Sequence, residues 1–270
     1  MNIEKKLKLL KDTIKSMESV VVSFSGGVDS TLVAKVSYDV LGAKALAITA
    51  RSETYPSYEY EEAKKIAKEI GISHITIDTS ELNIKGFAEN PPNRCYFCKS
   101  ELFGKLKEIA KGKGYKNVVD GANLDDINEY RPGSDAAKEL NVRSPLKESG
   151  LRKSDIRDML KYLNISNWDK PSYACMSSRF PYGESISEEK LTIVAAAENY
   201  LRSLGLRQFR VRHHNTIARI EVLPEDITVL LQSARRKELV SKFKEIGYKY
   251  VTIDMEGYRS GSMNEVLKYK

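Results

Sequence analysis

Three groups of residues in this 270-residue chain have the types and spacing for chemistry: a glycine pair among hydroxyls, a run of aspartates, and three cysteines. The first is the stretch Ser23, Phe24, Ser25, Gly26, Gly27, Val28, Asp29, Ser30, Thr31. Glycines let backbone N–H groups approach phosphate oxygens and permit dihedrals closed to other residues. A helix beginning just after them adds its positive dipole end. Ser25, Ser30 and Thr31 supply hydroxyls, and Asp29 is suited to hold a divalent cation beside the phosphates. The second group runs from Asp120 through Gly121, Ala122, Asn123 and Leu124 to Asp125 and Asp126, with Arg131, Pro132 and Gly133 downstream as added positive charge for pyrophosphate or substrate. A glycine at a strand end followed by carboxylates suits a nucleotide and metal site.

The third group is Cys95, Cys98 and Cys175. An odd count argues against a disulfide framework. Cys95 and Cys98 form a CxxC at a helix start, flanked by Arg94 and Lys99, which favours thiolates. Three readings stay open from the residues alone. They are separate buried thiols, a zinc site completed by His74, His213, His214 or a carboxylate, and a [4Fe–4S] cluster on three thiolates with one iron open. No histidine sits at ligand spacing to the CxxC, which disfavours zinc.

Periodicity supplies the elements that must position these groups. Apolar residues at helical spacing predict an opening helix from Ile3 to Met17. A strand over 20–25, a helix over 28–41, a strand over 45–49, a helix over 58–70, a strand over 72–77, a helix over 98–110 and a strand over 117–120 follow. Strands alternating with helices imply a parallel sheet, with ligands outside the carboxyl ends of its strands. A helix over 154–163 precedes a Pro-, Gly- and Ser-rich stretch read as a loop joining two domains. Ser187 is the expected N-cap of a helix reaching 204, with Lys190 at the capping-box position. Strands over 209–211, 217–222 and 250–253, with helices over 225–231 and 235–246, predict a small α+β unit. The expected division is 1–167, a loop at 168–186, and 187–270.

Hydrophobic residues make up 41% and charged residues 30%, as in soluble domains with a sizeable core. The apolar runs are too short to span a bilayer, and the charged N-terminus lacks a signal core, so a cytoplasmic protein with no membrane partner is expected. The net charge of +7 favours anionic partners, although a lysine-rich solvated surface explains it equally well.

The glycine loop resembles the SGGxDS loop of the PP-loop ATP pyrophosphatases, which split ATP to AMP and pyrophosphate and adenylate a substrate oxygen. Nearly the whole chain resembles one family among them, the ATP-dependent sulfur transferases that build the nickel-pincer nucleotide cofactor. The resemblance rests on SFSGGVDST at 23–31, DGANLDD at 120–126 with RPG at 131–133, SPLKESGLRKSDIR at 144–157, WDKPSYACMSSRFPYG at 168–183 and FRVRHHNTIARIEV at 209–222. It implies an adenine nucleotide alpha hydrolase-like α/β domain with a smaller C-terminal domain for substrate binding and self-association. ATP and Mg²⁺ are implied over Ser23, Ser25, Gly26, Gly27, Asp29, Ser30, Thr31, Gly121, Asp125 and Asp126. Cys175 matches the family's sulfur donor, sacrificed in single-cysteine members. Cys95 and Cys98 liken this chain to the subgroup in which three cysteines hold a [4Fe–4S] cluster whose open iron carries sulfide from an external source.

The implied reaction adenylates the carboxylates of a pyridinium-3,5-dicarboxylate mononucleotide and converts them to thiocarboxylates. Arg210 and Arg212 alternate along a strand and are implied as the clamp for the substrate phosphate, with Arg179 helping beside Cys175. The rival enzyme is a [4Fe–4S]-dependent tRNA 2-thiolation enzyme. Val28 stands where that group usually has lysine, and no RNA-binding module is visible, so nucleic acid is not the expected partner. A module that only holds nucleotide and cluster is the non-enzymatic rival.

Overall fold

The computed structural model describes residues 2–128 and 132–267. The chain forms two compact units, Met1–Ile84 with Asn93–Tyr173, and Lys85–Pro92 with Ala174–Lys270. The second unit therefore takes an eight-residue excursion, 85–92, out of the middle of the first.

The first unit is built on a parallel sheet of order β3-β2-β1-β4, comprising β1 (Val20–Ser23), β2 (Ala45–Arg51), β3 (Ser73–Asp78) and β4 (Asn117–Val119). Its central strands read as unbroken apolar runs because both faces are covered. Val20 and Val22 enter one core with Leu10, Ile14, Leu32, Val36, Ile66 and Met159. Val21 points the other way, to Leu46, Ile48, Phe103, Leu106 and Val118. The helices are α1 (Ile3–Lys15), α2 (Val28–Leu41), α3 (Ser57–Ile70), α4 (Arg94–Gly112), α5 (Gly133–Glu139), α6 (Pro145–Glu148) and α7 (Lys153–Tyr162).

Boundaries follow local chemistry. Asn2 caps α1 by accepting the Glu4 N–H. Gly71 ends α3 at φ +83°. α4 begins at Arg94, four residues before the expected start, so both CxxC thiols ride on it. β1 stops at Ser23 rather than residue 25, because Gly26 turns the chain at φ +65°. The short helices α5 and α6 escape a periodicity search, since seven and four residues hold too few repeats.

The second unit holds a mixed sheet of order β5-β6-β7, with β5 (Phe209–His214) antiparallel to β6 (Ile217–Val222) and β7 (Tyr250–Ile253) parallel to β6. Against it lie α8 (Glu188–Ser203), α9 (Pro224–Leu231) and α10 (Ser233–Ile246), closing a core of Leu201, Val211, Ile220, Leu239 and Phe243. Ser187 caps α8 as expected, accepting the Lys190 N–H at 3.3 Å. The excursion is fastened here: Ile186 N donates to Ala88 O at 2.8 Å, Gly183 N to Asn90 O at 2.9 Å, and Asn90 Nδ2 to Pro181 O at 2.7 Å. No helix among the described residues is long and apolar enough to cross a membrane.

Candidate active site

β1 delivers the chain to the glycine turn and α2 takes it away. A Cβ on Gly26 would stand 2.8 Å from the Ala63 Cα of α3, and the residue also sits at φ +65°, so this position admits only glycine. Gly27 is the N-cap of α2, and the amides of the first turn open toward it. The loop hydroxyls are organised among themselves. Ser30 Oγ donates to Gly27 O at 3.1 Å and accepts the Ser25 N–H at 3.2 Å, while Ser25 Oγ lies 3.2 Å from Ser30 Oγ. Ser25 is exposed, Ser23 closes β1, and Thr31 is fully buried with its hydroxyl accepting from Asn167 Nδ2 at 2.9 Å. Tyr55 OH donates to Ser25 O at 2.8 Å, and burial, with Glu59 and Glu62 nearby, raises its pKa and keeps that phenol protonated.

The aspartate run reaches the same turn. A Cβ on Gly121 would lie 2.9 Å from Ser30 N, so glycine is required where β4's end meets α2. Asn123 links the two segments: its Nδ2 approaches Asp29 Oδ1 at 3.5 Å and its N–H donates to Asp126 Oδ2 at 3.0 Å. Asp29 is also ion-paired with Lys153. Sequence reasoning missed Lys153, because its partner lies 124 residues away and nothing local marks it. Asp125 is committed to the start of α7, accepting the Lys153 N–H at 2.9 Å and Arg152 Nη1 at 2.8 Å. Arg131 lies outside the described residues. Asp29 and Asp126 flank one asparagine, and a Mg²⁺ carried on phosphates uses one or two carboxylates, so these residues fit that ion.

Cys95 and Cys98 stand three apart at the start of α4, on one face of the helix. Cys95 is exposed, Cys98 is half-buried, and both are reduced. Cys98 Sγ donates to Glu81 Oε1 at 2.9 Å, and Glu81 also takes the Thr54 hydroxyl. Lys99 turns its ammonium over the Phe103 ring, 4.9 Å from the centroid. The histidine of this unit, His74, is bonded to Thr49 Oγ1 at 2.8 Å. No group of three or more His, Cys, Asp or Glu side chains among the described residues converges as a metal site. The chemistry of these side chains suits iron–sulfur ligation: Cys95, Cys98 and, in the second unit, Cys175 are all outside any disulfide, and thiolates are the ligands such clusters use.

In the second unit, Cys175 is exposed and heads the turn over 176–179. Two arginines shape its backbone. Arg179, fully buried, donates from Nη1 to Ala174 O at 2.8 Å and Cys175 O at 3.2 Å. Its Nε and Nη2 grip Glu198 at 2.7 and 2.9 Å. Arg212 grips Glu221 at 2.9 and 2.6 Å and donates to Ser178 O at 2.7 Å. Burial pushes the Glu198 carboxyl up, but Arg179, Arg210 and the Val211 N–H together hold it below its ordinary value. Arg210 donates to Phe209 O at 2.6 Å and lies over the Tyr258 ring, 5.0 Å from the centroid.

Of the arginines expected on the substrate phosphate, Arg179 and Arg212 already hold the buried carboxylates of Glu198 and Glu221. A phosphate on Arg179 or Arg212 must compete with Glu198 or Glu221. Those two glutamates also escaped sequence reasoning. Glu198 left a signal, since it shares the apolar stripe of α8 with Leu191, Val194 and Leu201.

Known proteins match this chain over these segments and beyond. A family model described as NAD synthase matches residues 2–94. An uncharacterized protein of Synechocystis is 49% identical over 98% of this chain and 99% of its own length. The pyridinium-3,5-bisthiocarboxylic acid mononucleotide synthase of Lactiplantibacillus plantarum is 40% identical over 94% of this chain and 92% of its own. The tRNA-specific 2-thiouridylase of Treponema denticola is 35% identical, but over only 38% of this chain and 32% of its own length.

Proposed function

Because this chain belongs to the family of the pyridinium-3,5-bisthiocarboxylic acid mononucleotide synthase, we propose that it is an ATP-dependent sulfur transferase converting carboxylates of a pyridinium dicarboxylate mononucleotide to thiocarboxylates. The observation that carries this is the glycine turn at the head of α2, with Gly121, Asp29 and Lys153 gathered beside it. A carboxylate is a poor electrophile, and the chain must first give it a leaving group. One substrate oxygen attacks the α-phosphorus of ATP, the bond to pyrophosphate breaks, and a mixed anhydride with AMP forms. Amides of α2 and the Lys153 ammonium neutralise the charge that develops on the departing pyrophosphate. Asp29 and Asp126 would hold a Mg²⁺, which would supply further positive charge to the phosphates.

A sulfur nucleophile then adds to the carbonyl carbon and the C–O bond to AMP breaks. With Cys175 as nucleophile the product is a thioester. Loss of the Cα proton and cleavage of the Cβ–S bond then release the thiocarboxylate and leave dehydroalanine at 175. Cys95, Cys98 and Cys175 would instead hold a [4Fe–4S] cluster, which would supply a renewable binding place for inorganic sulfide. Arg179 and Arg212 fix the backbone of 174–178 in either case. The first unit serves as the ATP pyrophosphatase part, and the second as the substrate-binding part through Arg210 and its neighbours.

The test is anaerobic incubation with ATP, Mg²⁺, sulfide and the dicarboxylate mononucleotide, with pyrophosphate, AMP and thiocarboxylate counted. One AMP and one pyrophosphate per sulfur installed is the expected result. Pyrophosphate release that depends on tRNA, with 2-thiouridine as product, would overturn the reading.

A further inference from the structure

The segment leaving α7 carries polar groups that the reaction above does not use. Asn167 Nδ2 donates to Gly26 O at 3.1 Å as well as to Thr31 Oγ1. Lys170 Nζ lies 2.7 Å from Glu59 and 2.7 Å from Glu62, and 3.5 Å from the same Gly26 oxygen. Arg157 holds the intervening backbone, donating to Trp168 O at 2.8 Å and Lys170 O at 2.7 Å. Tyr173 meets Tyr58 edge-on, with centroids 5.8 Å apart. The next residues are Ala174 and Cys175.

We infer that Asn167 and Lys170 are positioning residues that tie the arm bearing Cys175 to the nucleotide loop, so that a bound nucleotide sets the availability of the Cys175 thiol. The inference rests on the sulfur-transfer reading and names how its second step is timed. Connectors normally keep such polar groups in water. Here a connector buries an amide to 9% exposure and an ammonium whose side chain is 13% exposed, both against one carbonyl of the glycine turn. Asn167 Oδ1 has no hydrogen-bond partner among the described residues, so this amide is held for its nitrogen. Gly26 transmits the state of the loop. Its φ is +65° and Ala63 leaves no room for a side chain on it, while its carbonyl belongs to the peptide unit that supplies the Gly27 amide. Phosphate drawn onto the α2 amides shifts or stiffens that peptide unit, and Asn167 and Lys170 feel it directly. An acyl adenylate hydrolyses if it waits, so a thiol timed to nucleotide occupancy protects the intermediate.

The test follows Cys175 alkylation by iodoacetamide in the full chain, read by peptide mass spectrometry, without and with saturating ATP and Mg²⁺ and without the carboxylate substrate. In the unmodified sequence nucleotide is expected to change the rate at least fivefold. In Lys170→Met and Asn167→Ala the change should fall below about 1.5-fold with nucleotide still bound, and Lys170→Arg should restore at least half of it. Full nucleotide dependence retained in Lys170→Met overturns the inference, as does its absence from the unmodified chain with ATP bound. If Asn167→Ala does not fold, the Lys170 pair decides. Failure of ATP to bind the unmodified chain would instead overturn the underlying sulfur-transfer reading.

Discussion

Arg179→Met should be the most damaging single change in the second unit. Arg179 and Glu198 have side-chain exposures of 0% and 2%, and they form a two-point ion pair. Removing the guanidinium leaves a carboxylate in a dry site with the Val211 N–H and the charge of Arg210. Breaking a buried pair from one side costs about 3–5 kcal/mol. For a unit of roughly a hundred residues each kcal/mol lowers Tm by about 4–8 °C, so a fall of at least about 12 °C is expected. The double variant Arg179→Met with Glu198→Met should recover most of this, because apolar replacement of an entire buried pair is close to neutral. The coupling energy from that cycle should be at least about 2 kcal/mol. Scanning calorimetry measures the transition, and hydrogen exchange at the Val211 amide assigns it to this unit. The carbonyls of Ala174 and Cys175 lose their anchor in the same variant, so Cys175 alkylation should accelerate in the folded protein. A Tm shift below about 3 °C, or a double variant no more stable than the single one, would refute the reasoning.

Gly26→Ala should abolish ATP binding and destabilise the first unit by about 2 kcal/mol or more, since left-handed backbone and a clash with Ala63 add together; nucleotide titration and urea unfolding report the two effects. Lys153→Ala should leave the fold within about 1 kcal/mol but slow pyrophosphate release about a hundredfold, mainly in kcat, because its contribution comes as charge develops. Unfolded glutamate titrates near pH 4.3, and folded Glu198 titrates lower. The unfolded chain therefore binds more protons on acidification. The stabilisation should be complete above about pH 5 and lost as pH falls through the depressed folded value, seen as a Tm that is flat from pH 8 to 5 and drops below about pH 4. After anaerobic iron and sulfide loading, Cys95→Ala and Cys175→Ala should each lose cluster iron and its visible absorbance; wild-type iron content in Cys95→Ala would dismiss the three-thiol site.

Most of the sheet was legible because its signals are local. Val20, Val21 and Val22 announce a strand covered on both faces, and Gly71 and Ser187 announce helix ends. The glycine turn was legible for the same reason, since strand, glycines and helix adjoin in sequence. What was hidden is what depends on distant partners. Lys153 looks like any surface lysine until Asp29 is beside it, and Asp125 gives no local sign that it accepts the Lys153 N–H at the start of α7. Arg210 and Arg212 do share one side of β5, but alternation cannot show that Glu221 on the facing strand already holds Arg212. The excursion of residues 85–92 carries no compositional mark, because its bonds to Gly183 and Ile186 are backbone bonds.

That excursion also decides how the gene can be divided. The chain passes between its units after Ile84, after Pro92 and after Tyr173, so neither unit is one uninterrupted stretch of coding sequence. A product truncated at Tyr173 would carry residues 85–92, including the buried Phe87, with nothing to receive them. A product begun at Ala174 would lack the strip that Gly183 and Ile186 bind. On the ribosome the first unit can close early, while Phe87 must wait in water for about a hundred further residues to be translated before its own unit exists. Recombination, fusion or split-reporter designs must therefore keep both halves together, or supply 85–92 a second time.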